Sequence, residues 1–413
     1  MMSTRYILSD IHGFNDIIKC DNNSNNSQIL KLHKMESRTS NKSSYKVIKY
    51  EKSLLTDELV PNYGLCRSVI INSNNKVVGF SPPKSIKSDN FMKKYSENTD
   101  GIIAEEFVEG TMVNVFWNDS IDSWEISTRN TVGATSSFYK NDKSISFRDM
   151  FLEAQQETKL DFSLLEKEYC YSFVVQHPDN RIVVPFIKPK LYLVAVYSIH
   201  NDTDIITVNV HDCHGFNELF SSTLVQFPEI YKFEKYTELV EKYASMNTPY
   251  NILGVVIHNK VTGERTKIRN PVYEQVRILK GNQPKLQYQY LCLRNEGKVG
   301  KFLKFFPEHK KEFSEFRDKV HLFTNTLFSN YVSCYIKKEK PLKEFDQQYR
   351  THMFTIHQKF VNELRENKQS ITNTIVKNYV NKMHPSLLMH CLNFSPHHSG
   401  KNNENIVEVE TNI

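Results

Sequence analysis

The amino-acid sequence predicts an α+β protein, in which a domain of antiparallel sheets is followed by a mostly helical C-terminal domain. Two patterns lead to this fold class. Up to about residue 269, short runs of β-branched and aromatic residues recur, and turn residues separate most of them. After about residue 272, aromatic and aliphatic residues recur at three- and four-residue intervals with Lys and Glu between them, which is typical of amphipathic helices.

The sheet-rich pattern fills the predicted domain 45–284. Its apolar runs predict strands at 46–50, 69–71, 112–117, 124–128, 171–175, 191–197, 205–210 and 252–258. Helical spacing at 147–155 and 236–243 predicts two helices that pack against the sheets.

The helical pattern covers the predicted domain 285–395. The apolar residues that repeat at helical spacing are Phe302, Phe305, Phe306, Phe313, Phe316, Val320, Phe323 and Leu327. Pro307 and Pro341 interrupt the pattern, and Pro385 marks a further helix start. The polar residues 396–413 predict a loose tail.

The first 44 residues precede the sheet-rich domain. An apolar run at 6–8 predicts a strand, and the Asn-, Ser- and Lys-rich stretch 22–44 predicts a flexible insertion. Asp10, His12 and Gly13 form the opening motif of a two-metal phosphoesterase site. The later ligand segments of that class are missing from the sequence, so we interpret this match as coincidental.

Composition and charge narrow the possible classes of protein. The 413 residues are 39% hydrophobic, enough to bury the cores of two domains. Fifty-three basic and 47 acidic residues give a net charge of +6, which is compatible with a phosphate-bearing partner. Without an apolar run of roughly 18 residues or a signal-peptide core, we expect neither a membrane protein nor a secreted one. Seven cysteines, none two or three residues from another, predict no zinc site and a reducing, cytoplasmic setting.

The most informative segment is 105–117, where a carboxylate and a glycine, Glu109 and Gly110, lead into an apolar strand. Such a turn occurs in many proteins, and its context makes it specific. Arg67 precedes an apolar run upstream, and Arg129 follows a strand downstream. The apolar segments 171–175 and 253–257 come next, followed by the alternating pair at 267 and 269.

In their order and spacing, these segments resemble the nucleotidyltransferase domain of covalent polynucleotide ligases, in particular the tRNA-repair RNA ligases of T-even phages. The resemblance runs from about residue 46 to residue 269. It implies a nucleotidyltransferase fold, ATP and Mg²⁺ as cofactors, and RNA as the partner, with tRNA as one candidate. In the phage relatives a helical C-terminal domain confers tRNA recognition. A viral relative would act in the host cytoplasm.

The family's nucleophile position is occupied by Phe107. In the family, the lysine of a Lys-x-Asp-Gly motif attacks the α-phosphorus of ATP and forms lysyl-AMP, which then passes to an RNA 5′-phosphate. That motif falls here on Phe-Val-Glu-Gly at 107–110, and a phenyl ring has no lone pair with which to form a phosphoramidate. Glu109 preserves a carboxylate that would bind the ribose, and Gly110 preserves the close turn.

Two further positions lack the family's carboxylates, whereas the cations remain. Ser172 stands where the family has a ribose-binding glutamate, and Leu253 where a glutamate helps to hold the metal. We therefore predict no catalytic residue and no metal ligand. The residues predicted to bind a nucleotide or a phosphate are Arg67, Glu109, Gly110, Arg129, Lys267 and Arg269. On a strand Lys267 and Arg269 would point to the same face, so both would line one pocket.

These observations predict an RNA ligase-like protein of RNA repair or RNA-end processing, degenerate in its motifs, which binds nucleotide or RNA phosphates without forming lysyl-AMP. Two alternatives remain open: an active ATP-dependent RNA ligase that uses an unidentified lysine, and a non-catalytic interaction scaffold. Whether the chain is an enzyme is therefore open. If the old nucleotide cleft is plugged, Phe107 would pack on Phe116 or Trp117.

The segment 282–290 also has two interpretations. Its alternating aromatic and amide side chains could stack on and hydrogen-bond to RNA bases, as in single-strand binders. They could equally seat the helical domain on the sheet domain.

Overall fold

A computed structural model describes residues 3–19, 29–36, 43–138, 145–208 and 214–394. The chain divides into two units, Met1–Lys280 and Gly281–Ile413. The predicted loose tail 396–413 lies outside the described residues. The predicted domain boundary after residue 284 stays a prediction.

The described residues of the first unit contain three antiparallel sheets. Their strands are β1 Arg5–Ile7, β2 Leu30–Glu36, β3 Ser44–Tyr50, β4 Val69–Ile71, β5 Val77–Phe80, β6 Ile102–Glu106, β7 Thr111–Asn118, β8 Ser123–Ser127, β9 Tyr169–Gln176, β10 Lys190–His200, β11 Asp204–Val208, β12 Ile230–Tyr231, β13 Gly254–Asn259 and β14 Arg265–Arg269. The sheet orders are β1-β11-β10-β9-β7-β8, β12-β6-β13-β14 and β2-β3-β4-β5. The antiparallel sheets predicted from the sequence are confirmed.

Seven helices lie in the described part of the same unit. They are α1 Phe14–Lys19, α2 Val60–Tyr63, α3 Ser88–Lys94, α4 Phe147–Glu157, α5 His214–Leu219, α6 Tyr236–Tyr243 and α7 Pro271–Lys280. Helix α4 begins with a reciprocal capping box between Ser146 and Asp149. The helices predicted at 147–155 and 236–243 are thus confirmed as α4 and α6.

Two apolar cores lie on the six-stranded sheet. Phe151 of α4 packs on Phe173 of β9, in a core formed by one face of that sheet. In a second core Phe80 of β5 packs edge-on against Tyr197 of β10, with 4.9 Å between the ring centroids. This second core places the small sheet β2-β3-β4-β5 against the six-stranded sheet.

Strand β14 is fastened to the segment that follows β5. The Arg265 guanidinium donates hydrogen bonds to the carbonyl oxygens of Pro82 (3.1 Å) and Pro83 (2.9 Å). The amide of Ile86 donates to the Arg265 carbonyl (3.0 Å), and the Thr266 hydroxyl donates to the Ile86 carbonyl (3.0 Å). Because β14 carries the predicted basic pair, these bonds fix where both cations project.

The prediction of a flexible insertion over residues 22–44 is wrong for part of that stretch. Strand β2 lies within it and pairs with β3 in unbroken register from Leu30 opposite Tyr50 to Glu36 opposite Ser44. Leu30 is buried and Leu32 packs on the same core, while Lys31 between them is exposed. In an edge strand with one face in solvent, the residues on that face are polar, so the alternating apolar residues are easily overlooked. Residues 20–28 and 37–42 lie outside the described residues.

The second unit is mostly helical in its described residues, as predicted. Its helices are α8 Leu286–Asn295, α9 Val299–Phe305, α10 Lys310–Tyr331, α11 Gln347–Lys359, α12 Asn373–Asn381 and α13 Pro385–Leu392. The predicted apolar repeat forms its interior, where Phe302 stacks on Phe313 with 5.0 Å between the ring centroids. Among the described helices of the whole chain, none is long and apolar enough to cross a membrane.

The aromatic–amide alternation at 282–290 does not form a single face. Most of it lies in α8, where residues two apart point about 200° apart because each residue turns the helix by about 100°. Tyr290 is buried and packs on Phe313, with 5.1 Å between the ring centroids, while Tyr288 stays partly exposed. The two tyrosines therefore cannot act as one stacking platform.

Candidate phosphate-binding site

The predicted basic pair converges on the ring of Phe107. The amino nitrogen of Lys267 lies 4.5 Å from the ring centroid, and the guanidinium carbon of Arg269 lies 5.9 Å from it. Phe107 follows β6, and β13 lies between β6 and β14. Gly254 of β13 pairs with Arg269, has a φ of +140°, and has no side chain to separate the ring from β14.

The two partners suggested for Phe107 by the sequence are engaged elsewhere. Phe116 meets Tyr45 edge-on, with 5.9 Å between their centroids. Trp117 meets Trp124 edge-on at 5.4 Å, and the amine of Lys167 lies over its ring. In the structure, the charged groups of β14 lie against the Phe107 ring.

Three more basic side chains interact electrostatically with this pair, and a fourth, Arg129, interacts with two of those three, Arg67 and Lys84. We call the whole group the cation cluster; its members are Arg67, Lys84, Arg129, Arg265, Lys267 and Arg269. Lys84 and Arg265 were not among the residues that the sequence singled out. Arg265 could have been found, since it lies two residues before Lys267 on the same strand. Lys84 lies in a loop after β5 and has no local signal.

The positive charges of the cation cluster repel one another. Burial, together with the positive charges of Arg265, Arg67, Arg269 and Lys84, holds the pKa of Lys267 well below its usual value. Burial is also the main cause that lowers the pKa of Arg67 to about 10, and Arg265 and Arg129 add to it. Burial also lowers the pKa of Lys84, and the positive charge of Arg67 is the next largest cause.

Three members of the cluster already have protein partners. Arg265 is buried and donates to the carbonyls of Pro82 and Pro83. Arg269 pairs with Glu274 at 3.1 Å. Arg129 lies over the ring of Tyr50 and donates to the Arg67 carbonyl at 3.5 Å.

The other three members form no ion pair with a carboxylate of the described residues; they are Arg67, Lys84 and Lys267. Arg67 and Lys267 are also partly buried, and a buried positive charge without a compensating charge is unfavourable in the ligand-free protein. Such a group of perturbed cations is a candidate site for an anionic ligand.

Glu109 lies two residues after Phe107, and its carboxylate is bonded within the protein. Oε1 accepts hydrogen bonds from the amides of Val183 (2.8 Å) and Val184 (3.0 Å), and the hydroxyl of Tyr273 bonds to the same carboxylate. Burial raises the pKa of Glu109 above its ordinary value. The carboxylate predicted to bind a ribose therefore holds the segment after β9.

Gly110 is required by the turn between Glu109 and β7. Its φ is +147°, and a Cβ atom there would lie 2.4 Å from the carbonyl oxygen of Val175. Only glycine adopts this backbone and permits this approach without strain. The close turn at Gly110 thus allows β7 to pack against β9.

Ser172 and Leu253, which are predicted to stand where the family has carboxylates, both form hydrogen bonds within the protein. The Ser172 hydroxyl donates to Asn114 Oδ1 at 2.7 Å, and Asn114 Nδ2 donates to the Ser81 hydroxyl at 2.7 Å, all of them buried. Leu253 offers its carbonyl oxygen to the amide of Asn270. In the described part of the chain, no group of three His, Cys, Asp or Glu residues could hold a metal ion.

The glutamates just before Phe107 do not replace the lost carboxylates. Glu105 is buried, and its Oε1 lies 2.6 Å from Nε2 of His258 across the β6–β13 pair. Burial lowers the pKa of His258, although Glu105 opposes this shift. Glu106 accepts a bond from the amide of Glu229, and burial raises its pKa.

Curated relatives with significant sequence similarity are viral. The chain is 24% identical over 259 residues to an RNA ligase of Rhodothermus phage RM378, which covers 56% of this chain and 57% of that protein. It is 27% identical over 267 residues to the immediate-early protein ICP-46 homolog of Invertebrate iridescent virus 6, covering 60% and 56%. The chain thus spans about half the length of the curated relatives it matches. No protein-family model matches it.

Solved structures with local similarity are RNA ligases. A Naegleria gruberi RNA ligase with pyrophosphate is 12% identical, with a TM-score of 0.36, over 48% of this chain and 57% of that one. An archaeal ATP-dependent RNA ligase is 12% identical, with a TM-score of 0.37, over 68% and 72%. In sequence, 56% of this chain is similar to a phage RNA ligase.

Proposed function

We propose that this chain is an RNA ligase-like protein of RNA repair or RNA-end processing, which binds the phosphates of a nucleotide or of an RNA end in the cation cluster. The observation that carries the proposal is the set of three cations, Arg67, Lys84 and Lys267, that lack a carboxylate partner among the described residues. Phosphate carries enough charge and enough oxygen atoms to bind several of them at once.

The proposal gives position 107 no covalent role. The phenyl ring of Phe107 cannot attack phosphorus, so no lysyl-AMP forms there, and in this respect the site is degenerate. ATP is the nucleotide that the family resemblance favours. The residues present do not fit a resident metal, because Leu253 stands where the family has the glutamate that helps to hold it. We therefore propose Mg²⁺ only as the counter-ion that a triphosphate brings with it.

RNA is the proposed partner, and tRNA is one candidate. The similarity to a phage RNA ligase supports RNA, and the phage family's helical domain suggests that the second unit takes part in recognition. Lys301, Lys304, Lys310 and Lys311 of the second unit are the residues that we propose for this contact. We propose the cytoplasm, or a host's cytoplasm, as the place of action.

Equilibrium binding of ATP, GTP and a 5′-phosphorylated RNA to the full chain tests the proposal. Replacing Arg67 and Lys84 together by glutamine removes two unpaired cations, and affinity for all three ligands should fall by about tenfold or more. Lys93→Gln, at an exposed lysine of α3, is the matched control and should bind as the unmodified protein does. Equal affinity of the double variant and the control would contradict phosphate binding in the cluster.

An active ATP-dependent RNA ligase that uses another lysine is the second candidate. One observation favours it: the amine of Lys267 lies against the ring that replaces the family's nucleophile.

A further inference from the structure

We infer that Lys267 supplies the amine that position 107 lacks, and that it accepts a nucleoside monophosphate from a nucleoside triphosphate bound in the cation cluster. This inference rests on the proposed function, because the triphosphate must first bind there. It goes further than that function by assigning a covalent step and the residue that performs it.

Position is the first argument. The Lys267 amine lies 4.5 Å from the centroid of Phe107, and it reaches that place from β14, on the far side of β13. A triphosphate whose α-phosphorus faced a nucleophile at position 107 would therefore face the Lys267 amine as well. Of the two lysines in the cluster, Lys84 is exposed whereas Lys267 is partly buried.

Protonation state is the second argument. An amine attacks phosphorus through its lone pair, which only the neutral form offers. Burial and four neighbouring cations lower the pKa of Lys267, so its neutral form is populated at a lower pH than that of an exposed lysine. The guanidinium groups of Arg67 and Arg269 would bind the phosphate oxygens.

The step balances with the triphosphate as the only co-reactant. The lone pair of the Lys267 nitrogen forms the N–P bond to the α-phosphorus, and the bond from that phosphorus to the bridging oxygen breaks. Pyrophosphate leaves with the electron pair of that bond. The nitrogen loses one proton to water or to the pyrophosphate, which leaves a neutral N–H in the phosphoramidate. The cations around the leaving group would stabilise its developing charge.

The test is intact-mass analysis of the full chain after incubation with ATP or GTP, each with MgCl₂ or MnCl₂. We expect one added nucleoside monophosphate, which peptide mapping places on Lys267. Lys267→Arg keeps a positive charge but removes the nucleophile, so it should lose the adduct entirely. Lys93→Arg, outside the cluster, should retain it. The bond should break in acid and survive in alkali, as expected of a phosphoramidate.

Parallel binding measurements separate this inference from the function on which it rests. If ATP or GTP binds but no adduct forms, or if the adduct maps to another lysine, Lys267 is not the nucleophile and phosphate binding stands. If neither nucleotide binds, both proposals fail. The far-ultraviolet circular dichroism spectrum of Lys267→Arg should match that of the unmodified protein, and this shows that its loss of adduct does not come from misfolding.

Discussion

Glu109 Oε1 lies 2.8 Å from the amide nitrogen of Val183, and this bond ties the turn before β7 to the segment after β9. The same oxygen accepts from Val184, and the backbone carbonyl of Glu109 accepts from Gln176 at 3.0 Å. The residue therefore contributes to the fold through both its side chain and its backbone.

Replacing Glu109 by alanine should mainly destabilise the protein. The amides of Val183 and Val184 would lose their acceptor, which lowers the free energy of unfolding by about 2 kcal/mol. Affinity for ATP should change little. Denaturant unfolding and equilibrium binding measure the two effects, with Glu241→Ala at an exposed position of α6 as the control. A variant of full stability that had lost ATP affinity would instead place Glu109 on the ligand.

Gly110→Ala should be strongly destabilising. The new Cβ would lie 2.4 Å from the Val175 carbonyl at a φ of +147°, so we expect a loss of about 2 kcal/mol or more. Gly300→Ala is the matched control, since a Cβ there meets nothing within 4 Å and alanine favours the helix by about 1 kcal/mol. Thermal unfolding of the two variants checks the contrast, and similar midpoints would show that the turn tolerates a side chain.

Lys267→Met should stabilise the ligand-free protein while weakening triphosphate binding. Methionine keeps an apolar stem against Phe107 but removes a charge that four other cations oppose. We expect a gain of about 1 kcal/mol in the free energy of unfolding. Chemical denaturation without ligand measures this gain, and a loss of stability would mean that the charge has a favourable partner.

Binding of inorganic tripolyphosphate should take up a proton. A bound anion raises the pKa of Lys267, so affinity should fall as pH rises between the pKa of the free protein and that of the complex. Without ligand, the free energy of unfolding changes with pH in the opposite direction. The lysine binds its proton more tightly in the unfolded protein, so the free energy of unfolding rises with pH up to about 10.5. Calorimetry in buffers of different ionisation enthalpy measures the proton uptake. Lys267→Met should abolish it, and uptake that persists in this variant would assign the proton to another group.

RNA affinity should weaken as salt rises. Each phosphate that the basic side chains neutralise adds about 0.7 to the magnitude of the slope of log affinity against log salt for a single strand. Titration of a labelled 5′-phosphorylated RNA at several salt concentrations gives this slope. Charge reversal at Lys301 and Lys304 together should reduce it if the second unit contacts RNA, and an affinity that does not depend on salt would discard the RNA proposal.

The strands that sequence could predict are those with a sustained apolar run. Strands β7, β9 and β10 are long, central and apolar, so their runs were visible without tertiary information. Strand β6 was missed because it ends in two glutamates, one of which is buried and hydrogen-bonded to His258. Its pairing with β13 joins two segments that are far apart in the sequence, so neighbouring residues alone cannot predict it.

The site was predictable only where strand alternation or the resemblance pointed to it. Alternation predicted that Lys267 and Arg269 share a face, and the structure brings both to Phe107. Lys84 comes from a loop whose position depends on Arg265 holding Pro82 and Pro83, so its membership could not be read from sequence. The bond of Glu109 to Val183 crosses 74 residues and was equally hidden.

The hydrogen-bonded chain from Ser172 through Asn114 to Ser81 limits which side chains position 172 can hold. A glutamate there would remove the hydroxyl that donates to Asn114 and would place a carboxylate among side chains that are at most 2% exposed. A buried charge without a partner is unfavourable. Any design that introduces a carboxylate at this position must therefore change Asn114 and Ser81 at the same time.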